Sequence, residues 1–202
     1  MPERKPRADA VRNREAVLAA ADRLFVGCDR PEHVTMADIA AEAGVGKGTL
    51  FRGFGDRTGL IYALYESRLE PIRRAITDGP HPLGPGTPPL QRVPAMLDAI
   101  LCFKLDHRHL ALALEEAGTD SPYRAEHYGW WHDTLRGVLE QLSEFTGSDF
   151  AAHALLAAVR ADLVDHLVDR QNMPRERLRA ELAAFVTKVM SGPCPSEPNA
   201  GP

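Results

Sequence analysis

The stretch T-M-A-D-I-A-A-E-A-G-V-G-K-G-T-L-F-R-G-F (Thr35 to Phe54) reads as two short helices joined by a Gly-Val-Gly turn. Thr35 is the candidate N-cap of the first helix. With Asp38 three residues on, its hydroxyl can take a free backbone N–H while the carboxylate faces the positive end of the helix. Ile39, Ala40 and Ala43 share one apolar face, and Gly44 supplies the left-handed cap that stops the helix. A second helix starts near Gly46 and projects Lys47, Thr49 and Arg52, while Leu50 and Phe54, four apart, turn to the core. A helix-turn-helix of this kind is a unit that enters a DNA groove.

The chain has 202 residues and a formal net charge of -4, which is enough chain to bury a core and too acidic a balance for a protein that coats nucleic acid. No apolar run reaches the length of about 18 residues that a membrane span needs, and no apolar signal region opens the chain. The expectation is a soluble protein that stays inside the cell, with no membrane partner. Cys28, Cys102 and Cys194 are odd in number and far apart, so idle thiols are expected rather than disulfides. The charge is uneven: residues 1–78 hold 13 Lys/Arg against 12 Asp/Glu, and residues 79–202 hold 11 against 16. The first residues are the most basic, with Arg4, Lys5, Arg7, Arg12 and Arg14 against Glu3 and Asp9. They are expected to form a flexible arm that follows a phosphate backbone or, equally, a solvated terminus.

Almost every ordered-looking segment has helical period. Val17, Leu18, Ala21, Leu24 and Phe25 fall on one stripe of a helix ending near Gly27. Leu60, Ile61, Leu64, Ile72 and Ile76 repeat the pattern over Asp56 to Thr77, with Asp56 as N-cap. Residues 79–89, G-P-H-P-L-G-P-G-T-P-P, exclude a helix and read as a loop or hinge. Beyond it apolar stripes run over residues 90–105, 108–117, 123–145, 149–170 and 175–190, with no two-residue alternation. The tail from Ser191 is rich in proline and is expected to be disordered.

Two of these stripes bear on assembly. Leu155, Leu156, Val159, Leu163 and Leu167 recur among alanines, and Leu178, Leu182, Phe185, Val186 and Val189 do the same. Small residues let helices approach closely, so the last two helices suit half of an intermolecular four-helix bundle, with packing inside one chain as the alternative. The dimerisation candidates are Leu155, Val159, Leu163, Leu182, Phe185 and Val189.

Three other chemistries were weighed. Ala43 to Thr49, A-G-V-G-K-G-T, imitates a phosphate-binding loop, but the first glycine of that motif is missing and the preceding I-A-A-E-A is helical where a strand is required. His107 and His109, two apart on a helix, point to different sides and do not chelate; His127 and His132 read as partly exposed helix residues, so no metal ligand is assigned. No nucleophile signature is present and no cofactor is implied, so an enzyme is not expected.

R-E-A-V-L-A-A-A-D-R-L-F (Arg14 to Phe25), Thr35 to Phe51, and F-G-D-R-T-G-L (Phe54 to Leu60), in that order, resemble the TetR family of bacterial transcriptional regulators. The resemblance implies an all-helical homodimer whose first three helices bind a double-stranded DNA operator and whose larger C-terminal domain dimerises and holds a small organic ligand. Most members repress transcription and leave the operator when ligand binds. Carried over by position, Thr35 caps the second helix and touches a phosphate, Lys47 to Arg52 form the recognition helix, and Arg57 contacts the backbone. Lys47, Thr49 and Arg52 can reach base edges, and Gly48 lets the backbone approach the DNA. Where the family has Ser, Tyr and Tyr or His, this chain has Gly46, Phe51 and Gly53. The burden of contact then shifts to Arg52, Arg57 and the basic residues Arg4, Lys5 and Arg7.

The aromatic group Tyr123, Tyr128, Trp130 and Trp131, with Leu135, His127, His132 and Glu116, faces the 90–105 helix with Met96, Leu97, Ile100, Leu101 and Phe103 as a candidate cavity for a drug-sized hydrophobic molecule. The ligand candidates are Met96, Ile100, Phe103, Glu116, Tyr123, His127, Trp131 and Leu135, each of which also reads as core. The expected fold is all-α: a helix-turn-helix DNA-binding domain over residues 1–55, a helical ligand-binding and dimerisation domain over 56–190, and a disordered tail over 191–202.

Overall fold

A computed structural model describes residues 4–26, 33–117, 126–143 and 145–191, with the side chains of residues 4–8, 26, 116, 117, 126 and 127 outside the description. The described elements are α1 (Arg4–Val26), α2 (Met36–Glu42), α3 (Lys47–Phe54), α4 (Arg57–Thr77), α5 (Pro89–Asp106), α6 (Arg108–Ala117), α7 (Glu126–Leu139), α8 (Ser148–Ala157), α9 (Ala161–Asp165), a π turn (His166–Arg170) and α10 (Arg175–Met190). The fold is all-α, and no strand occurs among the described residues. None of the described helices is long and apolar enough to cross a membrane.

The chain divides into two compact units, one running to Glu70 and taking in His109–Ala117, the other made of Pro71–Arg108 and the chain from Gly118 onward. The division falls inside α4 at Pro71, which has no N–H to close the helical bond to Ser67. In the first unit Val17, Ala20, Ala21 and Phe25 of α1 are buried with Ile39 and Ala40 of α2, Leu50 of α3, Leu60 and Leu64 of α4 and Leu110 of α6. Burial of each such aliphatic side chain is worth about 1.5–3 kcal/mol, so the stripe read from the sequence is what assembles the unit. α1 begins at Arg4, which puts Arg4, Lys5 and Arg7 on helical turns rather than on a loose arm.

In the second unit α5 is central, with α7, α9 and α10 packed on it and α8 on α7. Met96, Leu97 and Leu101 of α5 are buried with Leu135 and Leu139 of α7, Leu155 of α8 and Val186 of α10. Three expectations change here. The loop between α4 and α5 is tied down by bonds of its own: buried Arg92 donates to the Leu83 carbonyl at 2.9 Å and to the Ile76 carbonyl at 2.7 Å, and the Gly84 N–H reaches Pro80 at 2.9 Å. The 123–145 helix is described only over Glu126–Leu139, after which the N–H groups of Gln141 and Leu142 bond three residues back and tighten the chain into turns.

The third is the expected single helix over 149–170, which breaks after Ala157. Arg160 is extended (φ -63°, ψ 145°), its guanidinium bonds Asp162 at 2.9 and 3.0 Å, and that carboxylate takes the free N–H of Leu163 at 2.7 Å. Arg108 then holds Asp165 at 2.5 Å and Asp169 at 2.6 Å across the start of the π turn. A charge-assisted pair at the restart thus outweighs the continuous apolar pattern.

Candidate nucleic-acid interface

Thr35 is the N-cap of α2 with extended backbone (φ -94°, ψ 160°). The Asp38 N–H donates to its hydroxyl at 3.2 Å, and the Thr35 N–H and hydroxyl both donate to the Asp38 carboxylate, at 3.0 and 2.6 Å. The side-chain bond from Thr35, then the backbone one, holds the Asp38 carboxyl below its ordinary value. At the other end the Val45 N–H reaches the Ala40 carbonyl at 3.0 Å and the Gly44 N–H reaches Ala41 at 3.1 Å. This six-to-one, five-to-two pairing requires the left-handed residue Gly44 (φ 65°) provides. The turn is therefore set by its own backbone, and α3 leaves it at a defined angle.

Leu50, only 1% exposed, is the pin that seats α3 in the unit. Around it Lys47, Gly48, Thr49, Arg52 and Gly53 are all exposed, and Phe51 is 50% exposed. Gly46 caps α3 without a side-chain bond, as its lack of a hydroxyl dictates. Phe54 is half-buried, with the Arg14 guanidinium 4.9 Å from its ring centre. Asp56 caps α4 through the Gly59 N–H at 2.8 Å, and a Cβ at Gly59 would collide with the Phe54 carbonyl oxygen. That close approach is the reason for glycine in F-G-D-R-T-G-L.

Two residues stand differently from the sequence reading. The Arg57 side chain folds inward, its Nε 3.4 Å from the Val34 carbonyl and its guanidinium 5.7 Å from the Phe25 ring centre, so it braces the unit. The Thr35 hydroxyl gives its proton to Asp38, so a phosphate can take that proton only by displacing the carboxylate. The sequence reading also missed the face of α1 beside α3. Asp9, Asn13 and Arg14 line a cleft of about 460 Å³ together with Thr49, Arg52, Gly53 and Phe54. The signal was present: Asn13 is four residues before Val17, so it rides on the edge of the buried stripe.

In the second unit Met96, Ile100 and Phe103 of α5 and Trp131 and Leu135 of α7 are buried, and the two helices pack on each other. Glu116 and His127 have side chains outside the description, and Tyr123 lies outside the described residues. A described cleft of about 390 Å³ lies instead between α5 and α10, lined by Pro94, Asp98, Arg179, Leu182 and Val186 among others. Leu155, Val159 and Leu182 are buried in this chain's own unit, whereas Leu163 is 40% and Phe185 41% exposed and Val189 is half-buried.

A short capped helix, a glycine turn and a second helix with one buried leucine and a polar outer face make up a helix-turn-helix unit. Residues 17–64 match the model of the bacterial regulatory proteins, tetR family, so the helix-turn-helix part of the chain is similar to that family. The chain is similar to an HTH-type transcriptional regulator of Staphylococcus aureus (strain MRSA252), 26% identical over 181 residues, 86% of this chain and 91% of the relative. Among solved structures, a TetR-like transcriptional regulator from Rhodococcus sp. RHA1 superposes with a TM-score of 0.58 at 20% identity, over 89% of this chain and 96% of that one. FadR of Thermus thermophilus, a TetR-family transcriptional repressor in complex with lauroyl-CoA, gives 0.63 at 19% identity, over 94% and 99%. All of these are named as transcriptional or regulatory proteins. The Ala43–Thr49 run follows helix α2 and forms the turn into α3, which removes the phosphate-loop reading.

Proposed function

We propose that the protein is a homodimeric repressor whose two α3 helices read successive major grooves of a palindromic operator and let go when a small hydrophobic molecule binds the second unit. The observation that carries the DNA half is the outer face of α3, where Lys47, Gly48, Thr49 and Arg52 stand exposed around buried Leu50. Lys47 and Arg52 suit guanine or phosphate, and Thr49 offers its methyl to thymine. Thr35, Gly46 and Phe51 flank that face. Arg14 and Asn13 on α1 adjoin Arg52 and extend the same surface, while Arg4, Lys5 and Arg7 add charge on the first turns of α1. Half-sites about 34–36 Å apart, or a multiple, are expected for a dimer of this kind.

The ligand half is supported by FadR, which was crystallised with lauroyl-CoA, and by the apolar group Met96, Ile100, Phe103, Trp131 and Leu135 with Glu116, Tyr123 and His127 nearby in sequence. A ligand acts only through its unequal affinity for the conformers that do and do not fit the operator. The tight burial of those five residues favours a second reading, a DNA-binding dimer that answers to no ligand. Tryptophan fluorescence during titration with long-chain acyl compounds separates the two, since quenching requires a ligand beside Trp130 or Trp131.

DNA selected from a random pool by the purified protein, then titrated by anisotropy against salt, tests the reading. Lys47→Ala and Arg52→Ala should each weaken binding by about 1–3 kcal/mol and, where the contact is to phosphate, lower the salt slope by about one. Unchanged affinity and slope in both variants would refute the assignment of α3.

A further inference from the structure

The seam between α7 and α8 is apolar along most of its length, with Trp131, Leu135, Val138 and Leu139 buried on one side and Ala151, Ala152, Leu155 and Leu156 on the other. At its open end the chemistry changes. His132 lies on α7, and Asp149 and His153 stand four apart on α8, so the two acceptors share a helix face that meets His132. One ligand atom from each of the three lies within 4.8 Å of the others. The His132 and His153 rings are stacked with centres 4.0 Å apart, and His132 Nε2 is 3.4 Å from the Asp149 carboxylate.

We propose that His132, Asp149 and His153 form a binding site for one divalent transition-metal ion of the zinc class, clamping α7 to α8. Two imidazoles and a carboxylate are the donor set such ions take, with a water or an exogenous ligand completing four-coordination. Ligands on a tetrahedral ion with bonds of about 2.0–2.1 Å are about 3.3–3.4 Å apart, which the His132–Asp149 pair already meets. The outer shell is in place as well. Nδ1 of His153 is 2.5 Å from the Tyr128 hydroxyl and Nδ1 of His132 is 3.4 Å from Asp133, so each ring has an oxygen partner on its Nδ1 side, while Nε2 of His132 is 3.3 Å from the Asp149 carbonyl, a contact that a metal ion would replace. The Asp149 side chain is 68% exposed, which leaves the ion a way in from solvent.

The test uses the full-length protein stripped of metal by chelator. Zn²⁺ added in competition with a chromophoric chelator should bind at one ion per chain and raise the unfolding temperature, and Co²⁺ should give the visible absorption bands of a four-coordinate nitrogen–oxygen site. His132→Gln and His153→Gln should each abolish stoichiometric binding, and Asp149→Asn should weaken it at least tenfold. Tyr128→Phe should cost about 10–100-fold in affinity with the stoichiometry kept. His166→Gln, on the exposed π turn, should change nothing, and circular dichroism checks that every variant is folded. Binding that survives in the folded His132→Gln, His153→Gln double variant, or Zn²⁺ with no measurable binding to the unaltered protein, would overturn the proposal. No DNA enters this experiment, so its failure and that of the operator reading are separately visible.

Discussion

Gly48 sits inside α3 with no atom within 4 Å of the place a Cβ would occupy. Nothing in the protein itself requires glycine there, and glycine within a helix costs about 1 kcal/mol against alanine. Gly48→Ala should therefore raise stability by about 0.5–1 kcal/mol in chemical denaturation. On the DNA reading it should also weaken operator binding, because the added methyl stands where the groove must come close; a variant more stable and equally tight in anisotropy would remove Gly48 from the interface. Thr35 and Asp38 act the other way, since both serve the cap of α2. The folded Asp38 carboxyl lies below its ordinary 3.8, so its contribution is present at neutral pH and is lost as pH falls through the folded value.

At the scale of elements, Arg92 links the end of α4, the proline-rich loop and α5 through the carbonyls of Ile76 and Leu83. Arg92→Leu keeps bulk but leaves two inward carbonyls without a donor, and should cost about 2–4 kcal/mol in urea unfolding. α6 carries His109, whose ring centre is 6.1 Å from that of Phe25 on α1. Burial, and then the charge of Arg68, pushes the His109 pKa below its ordinary 6.5. The unfolded chain therefore takes up the proton first, and stability should fall as pH drops below about 6.5 towards the folded value. His109→Phe should flatten that part of the pH profile, and an unaltered profile would mean that another group carries it.

Elements with a strong stripe and a chemical stop were legible in the sequence. Thr35 with Asp38, Gly44, and Asp56 mark ends by local bonding alone, and α10, with Leu178, Leu182 and Val186, begins and ends where the pattern said. The break between α8 and α9 was not legible, because it depends on Arg160, Asp162 and Arg108 meeting through the fold while the apolar repeat runs on past it. The inward turn of Arg57 and the meeting of His132 with His153 were hidden for the same reason. In the sequence His107 and His109 are neighbours, whereas His132 and His153, 21 positions apart, are brought together only by the α7–α8 hairpin.

For the whole molecule, the question is which apolar side chains serve one chain and which serve two. Leu155 is buried within its own unit, whereas Phe185 is 41% exposed on the outer side of α10. Leu155→Ala should cost about 2–5 kcal/mol in folding stability. On the proposed dimer reading, Phe185→Glu should leave the helical content intact and shift sedimentation from dimer towards monomer, with operator affinity falling as the two reading heads separate. A Phe185→Glu protein that stays dimeric would move the interface elsewhere.

On the proposed DNA reading, the glycines of α3 bear on how the protein changes its target over generations. A Cβ at Gly48 or Gly53 meets nothing within 4 Å, and at Gly46 it meets only the Thr49 hydroxyl, at 4.0 Å. On that DNA reading, a new side chain at these positions meets no steric objection from the protein and is judged mainly by the DNA it meets. The lineage can wander among operators without first passing through unstable intermediates, and a laboratory library at positions 46, 48 and 53 inherits the same freedom.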